Sequence, residues 1–193
     1  MKAAALNPIS FRNRIHPHRF ALYTSFASII MMFGALTSAY IVKHAAGNWL
    51  EYQMPSIFYA STAVLILSSV CLHYSYSSFN LKKEWTYKLF LLIAFGLGLS
   101  FVVLQYNGWL ILFENGLDLK INPSGSFLYL ITGLHAAHIL GGVAAISVAI
   151  IHAFTLPFIV TEKRRIRFQL VLHYWHFVDI LWIYLLAFLL LCK

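Results

Sequence analysis

The sequence is short of charge. Only 10% of its 193 residues are Asp, Glu, Lys or Arg, against about 25% in an ordinary soluble domain. Acids are the scarcer sign, with 6 Asp+Glu against 14 Lys+Arg. Cysteine is almost missing: Cys71 and Cys192 are too few for a disulfide scaffold and cannot form a metal site alone. There is no internal repeat, no low-complexity tract and no shift of composition that would mark a second domain. What remains is apolar. Hydrophobic residues make up 61% of the chain, and the mean hydropathy is +0.76. Such a chain is neither disordered nor a soluble globule.

The uncharged stretches are long. Spans are expected at about residues 20–42, 55–79, 89–113, 126–156 and 168–191, and only the last carries a charge, Asp179. A spanning helix needs about 20 mostly apolar residues. Helices satisfy their own backbone in lipid, and a β-barrel would show short alternating segments instead. The expected fold is all-α, a single membrane domain of five transmembrane helices. The first apolar run is too long for a cleavable signal and lacks a small-residue cleavage site.

Lys2, Arg12, Arg14, Arg19, Lys82, Lys83, Lys88, Lys163, Arg164, Arg165 and Arg167 fall on one side of these spans. Lys43, Lys120 and Lys193 fall on the other. The positive-inside rule then puts the N-terminus in the cytoplasm and the C-terminus in the periplasm. Trp49 and Trp109 sit near outer ends and Trp85 near an inner end, as interfacial anchors do. Topology therefore accounts for most of the +8 net charge, and no soluble basic domain exists to bind nucleic acid. The last loop, with Lys163, Arg164, Arg165 and Arg167, either sets orientation alone or also contacts anionic lipid head groups.

Ionisable groups inside a bilayer are expensive and need partners. The fifth span aligns Gln169, His173, His176 and Asp179 on one stripe that should face protein. His176 is the obvious local partner of Asp179. The stripe reads as a polar clamp between helices or as a proton relay; no continuous acidic chain supports the relay. The fourth span carries Thr132, His135 and His138 at spacing three. Its Gly133, Ala137, Gly141 and Ala145 form a small-residue ridge suited to close helix packing. Facing histidines at matched depth would suit haem, and only one His pair could match. Gln105 in the third span reads as an interhelical hydrogen-bonding group. No general acid–base pair is visible in the first two spans.

Two segments resemble a known family. Tyr174-Trp175-His176-Phe177-Val178-Asp179-Ile180-Leu181-Trp182 is similar to the last-helix motif of subunit III of haem–copper oxidases. Thr132-Gly133-Leu134-His135-Ala136-Ala137-His138-Ile139-Leu140-Gly141-Gly142 resembles the penultimate-helix motif of the same family. Looser similarity runs through all five spans, including Leu104-Gln105-Tyr106 in the third. The length matches the bacterial five-helix form.

The resemblance implies a non-catalytic subunit of a proton-pumping terminal oxidase in a bacterial inner membrane. It binds no cofactor of its own. Haem and copper belong to partner subunits, and cytochrome c or quinol is oxidised elsewhere in the complex. Its partners are the catalytic subunit I, other oxidase subunits and phospholipid held in a cleft between two helix groups. That division would set the first two spans against the last three. The family's role is to support proton uptake and protect the catalytic centre. Many members carry a buried Glu in the first of these spans, where Ile29 stands here, and an acid where Gln169 stands. A quinol-oxidase subunit and an accessory subunit of nitric-oxide reductase share these motifs. From other classes, the alternatives are an independent membrane haem protein and a small transporter coupled through Asp179. The transporter would call for helices broken at mid-membrane.

Overall fold

The computed structural model describes residues 17–47, 49–118 and 122–192. The cations at Lys2, Arg12, Arg14, Lys120 and Lys193 lie outside them. Five helices follow in order: α1 (Pro17–Ala45), α2 (Ile57–Asn80), α3 (Glu84–Glu114), α4 (Pro123–Thr155) and α5 (Glu162–Leu191). No strand occurs among the described residues. All five helices are long and apolar enough to cross a membrane. The 24 residues of α2 reach about 36 Å at 1.5 Å per residue, against about 30 Å of hydrocarbon. The 33 residues of α4 exceed that thickness, so this helix tilts or projects.

Local chemistry sets the ends. The Asn122 side chain accepts a hydrogen bond from the Ser124 N–H at 2.9 Å and Pro123 fills the first helical position, so α4 starts earlier than the apolar run implied. Thr161 accepts from the Arg164 N–H at 3.3 Å and opens α5 at Glu162. The basic run expected as a loop is therefore the start of a helix. Leu81, Lys82 and Lys83 join α2 to α3, with Lys82 at φ 58°. A left-handed lysine costs roughly 1–2 kcal/mol. The backbone bonds of Leu81 to Ser77 and of Lys83 to Ser78, both 3.0 Å, hold it.

The four later helices form a ring: α2 packs on α3 and α5, and α4 packs on α3 and α5. The α2–α3 contact is the most extensive. Its seam is built from small residues. Ser61, Ser68 and Ser75, seven apart, are fully buried on α2, and Ala94 and Gly108 are buried on α3. Ser68 Oγ donates to the Ala94 carbonyl at 2.8 Å and Ser75 Oγ to the Tyr87 carbonyl at 2.9 Å. Close approach of this kind replaces the hydrophobic drive that lipid removes.

Helix α1 lies outside the ring, in the groove between α4 and α5. It buries one stripe, Phe33, Thr37 and Tyr40. The Phe26 ring stacks on Phe177 at 4.1 Å, Phe33 meets His138 edge-on at 5.7 Å, and Tyr40 meets Phe188 at 5.2 Å. Among the described residues α1 makes no helix contact with α2. The expected division of the first two spans from the last three is thus wrong for this chain. The short turn and the serine seam tie α2 to α3, while the aromatic stripe of α1 fits only the α4–α5 groove.

Candidate functional site

The two motifs meet inside the ring. Trp175 on α5 is fully buried, and its indole is held between two backbones. A Cβ on Gly142 of α4 would lie 2.8 Å from its Cε3 and Cζ3, and one on Gly98 of α3 would lie 2.8 Å from its Cη2. Both positions therefore need glycine. Two turns along α5, Trp182 donates its indole N–H to Thr62 Oγ1 at 2.9 Å. Each such bond is worth about 0.6 kcal/mol in a membrane protein.

His135 is fully buried between Phe101, at 5.8 Å and nearly perpendicular, and Trp182, at 4.8 Å. Its Nε2 lies 3.1 Å from the Val178 carbonyl oxygen, which makes Nε2 the protonated nitrogen and ties the penultimate helix to the last. His138 turns the other way. Its Nδ1 pairs with the Leu134 carbonyl at 2.7 Å, and its ring meets α1. The two histidines thus serve different neighbours and do not face the α5 histidines as an axial pair. Gln105 is buried with neither amide atom hydrogen-bonded among the described residues. The Trp109 indole N–H donates to Thr132 Oγ1 at 3.0 Å. No three His, Cys, Asp or Glu side chains converge as metal ligands do among the described residues.

The polar stripe of α5 divides. Gln169 accepts from Arg19 Nη2 of α1 at 2.8 Å, so the amide standing where an acid was expected still holds an arginine. His176 does not pair with Asp179. Its Nδ1 lies 2.5 Å from Ser69 Oγ on α2, and its ring is 5.8 Å from that of His73. Asp179 is buried, and its Oδ1 has no hydrogen-bond partner among the described residues. Together with Ser69, His73 and His176 it lines an open pocket of about 390 Å³ between α2 and α5. His173 Nδ1 is enclosed without a hydrogen-bond partner among the described residues. Ser69 carried no signal in the sequence, because α2 is rich in serine and nothing marks which serine faces α5; His73 is the one imidazole of the first two spans, but its neighbour on α5 was not legible.

The ridge Gly133, Ala137, Gly141 and Ala145 is not the packing surface within the chain. Ala137 and Gly141 are exposed, and a Cβ on Gly133 would meet nothing within 4 Å. The tight approach lies one residue on, at Gly142. At the basic end, Arg164 donates to the carbonyls of Pro157 at 2.7 Å, Ile159 at 3.1 Å and His152 at 3.2 Å, closing the last turn of α4. Arg165 pairs loosely with Glu162 at 3.7 Å. Arg164 and the exposed Arg167 edge a cavity of about 450 Å³ whose walls include Phe79, Tyr87, Val148 and Val171; exposed Lys163 adds charge nearby. Ile29 is half-buried against the apolar cluster of α1, α4 and α5.

At the opposite end, Tyr52 is buried in the α1–α2 connection, with its hydroxyl 3.1 Å from that of Tyr40. Burial, the hydrogen bond and the neighbouring Tyr40 push the Tyr52 phenol well above its ordinary range.

A family model described as cytochrome c oxidase subunit III matches residues 49–192. A probable cytochrome c oxidase subunit 3 of Mycobacterium bovis is 30% identical over 162 residues, covering 81% of this chain and 79% of that one. Cytochrome c oxidase subunit 3 of Corynebacterium diphtheriae is 29% identical over 161 residues, covering 80% and 78%. The mouse protein of that name is 31% identical over 125 residues, covering 65% of this chain and 46% of its own length. The chain thus spans about half the length of such mammalian relatives.

Proposed function

Because this chain belongs to the cytochrome c oxidase subunit III family, we propose that it is a non-catalytic subunit of a proton-pumping haem–copper terminal oxidase. It stands beside the catalytic subunit in a bacterial inner membrane, N-terminus in the cytoplasm. Haem and copper are held by its partners, and its own part is to support proton uptake and protect the catalytic centre. The observation that carries this reading is the junction of the two family motifs. His135 of one is bonded to the Val178 carbonyl of the other, and Gly142 of one seats Trp175 of the other. The polar side chains of the motifs are thus largely spent on joining helices, which suits a support and not a redox site.

The cavity beside Arg164 and Arg167 supports a second element of the reading, retention of anionic phospholipid. A guanidinium at the mouth matches a phosphate, and the apolar wall along α4 and α5 matches an acyl chain. The whole is tested by tagging the chain and purifying it from membranes in mild detergent. Co-purification of a haem- and copper-containing core supports the assignment. Recovery without that core, or with haem on the isolated chain, would overturn it.

A further inference from the structure

Helix α1 is held unevenly along its length. Its buried side chains, Phe33, Thr37 and Tyr40, all lie in the half toward Ala45. There the Thr37 and Tyr184 hydroxyls pair at 3.1 Å, and the Tyr40 hydroxyl pairs with Tyr52. The Tyr40 ring meets Trp49, Phe127 and Phe188. From Pro17 to Met32 no residue is buried. Two specific ties hold this half among the described residues. Phe26 lies against Phe177 and Tyr174, and Arg19 Nη2 donates to Gln169 Oε1 at 2.8 Å.

Packing is broken where burial ends. A hollow of about 270 Å³ separates Ile30 and Gly34 of α1 from Phe177 and Ile180 of α5. A Cβ on Gly34 would meet nothing within 4 Å, and glycine leaves the helix soft at that point. Lipid supplies no hydrophobic drive to press the loose half back onto α5. Arg19 is 14 residues beyond Phe33, a lever of about 21 Å, so a bend of about 20° would carry it roughly 7 Å and out of reach of Gln169.

The tie at the far end is one that can be exchanged. Gln169 offers the guanidinium a neutral amide oxygen, whereas a phosphate offers charge and two oxygens to the same fork, the stronger arrangement. Arg19 is partly exposed, and Gln169 lies one turn beyond Arg165, at the basic end of the bundle where lipid head groups lie. We propose that the Pro17–Met32 half of α1 is a hinged arm: closed when Arg19 bonds Gln169, and open when the phosphate of an anionic phospholipid takes Arg19. The surrounding lipid then sets the position of the arm. This device needs a bilayer and does not depend on the oxidase assignment.

Pulsed electron paramagnetic resonance on the full chain in bilayers tests it, with Cys71 and Cys192 replaced by serine. Spin labels at Ala21→Cys and Leu89→Cys measure the arm against α3, and labels at Ala39→Cys and Phe113→Cys measure the fixed half; all four positions are exposed. In phosphatidylcholine alone the first pair should give one separation. Added phosphatidylglycerol should bring in a second, longer by roughly 6 Å, while the second pair stays unchanged. Gln169→Glu, which gives Arg19 a carboxylate, should abolish the longer separation. Gln169→Leu should produce it in both lipids. A first pair that ignores phosphatidylglycerol and Gln169→Leu alike overturns the arm. Equal lengthening of both pairs overturns the hinge, since the whole helix would then have left its groove.

Discussion

Gly142 and Trp175 are in contact across the α4–α5 interface so closely that a single added carbon would stand 2.8 Å from the indole. Gly142→Ala should therefore destabilise the detergent-solubilised chain by about 1–3 kcal/mol, the usual cost of overpacking. Gly98→Ala, on the other side of the same ring, should cost a similar amount. Gly133→Ala meets no neighbour within 4 Å and should be neutral or stabilising by up to about 1 kcal/mol, since alanine is the better helix former. Thermal unfolding followed by circular dichroism separates the two classes. Equal effects at 133 and 142 would refute the packing described.

Orientation can be read with cysteines placed at Lys82 and Asn115, in connections at opposite ends of the bundle, after Cys71 and Cys192 are replaced by serine. Lys82→Cys should react with a membrane-impermeant maleimide only from the cytoplasm, and Asn115→Cys only from outside. Reversed labelling would overturn the charge-based topology.

Tyr52 gives the chain an alkaline limit. Its folded phenol holds its proton more tightly than in the unfolded chain, where it titrates near 10.0. Above that pH the folded state binds more protons than the unfolded one, so stability is whole below it and falls as pH rises further. Tyr52→Phe should remove that part of the decline. Melting temperatures between pH 8 and roughly 11, compared for the two proteins, check it. Parallel curves would mean that Tyr52 is not the group responsible.

Arg167→Gln should lower the amount of anionic phospholipid that survives purification by roughly fivefold, as loss of one cation near a charged membrane surface implies. Arg165→Gln should change it little, because Arg165 already faces Glu162 at 3.7 Å. Lipid counted by native mass spectrometry decides the matter; equal retention by both variants would remove the lipid reading of this cavity.

The first four spans were legible because nothing else keeps charge out of more than twenty consecutive residues, and the fifth because Asp179 alone interrupts its apolar run. The ends were less so, since Asn122 and Thr161 cap helices beyond the apolar runs. A spacing of four in Gly133, Ala137, Gly141 and Ala145 identified one face of α4, but a helix has several faces and the sequence does not say which one a tryptophan will need. The buried serines of α2 went unread for the same reason. Pairing between helices depends on relative depth, which is why His176 was matched with Asp179 on its own helix although its hydrogen bond goes to Ser69. Gln169 was legible as a departure from the family pattern, yet its partner Arg19 lies 150 residues away.

The seat of α1 has a consequence for how the chain is made. Its groove is formed by α4 and α5, and two of the side chains it needs, Phe188 and Tyr184, lie in α5, with Tyr184 made 147 residues after its partner Thr37. At roughly 5–20 residues per second, the ribosome takes on the order of ten seconds to go from α1 to those residues. Through that interval α1 has left the translocation machinery with its aromatic stripe facing lipid. Helix α1 is therefore made before the ring it leans on yet seated only after α5, and a ribosome stalled before α5 would leave it without a seat.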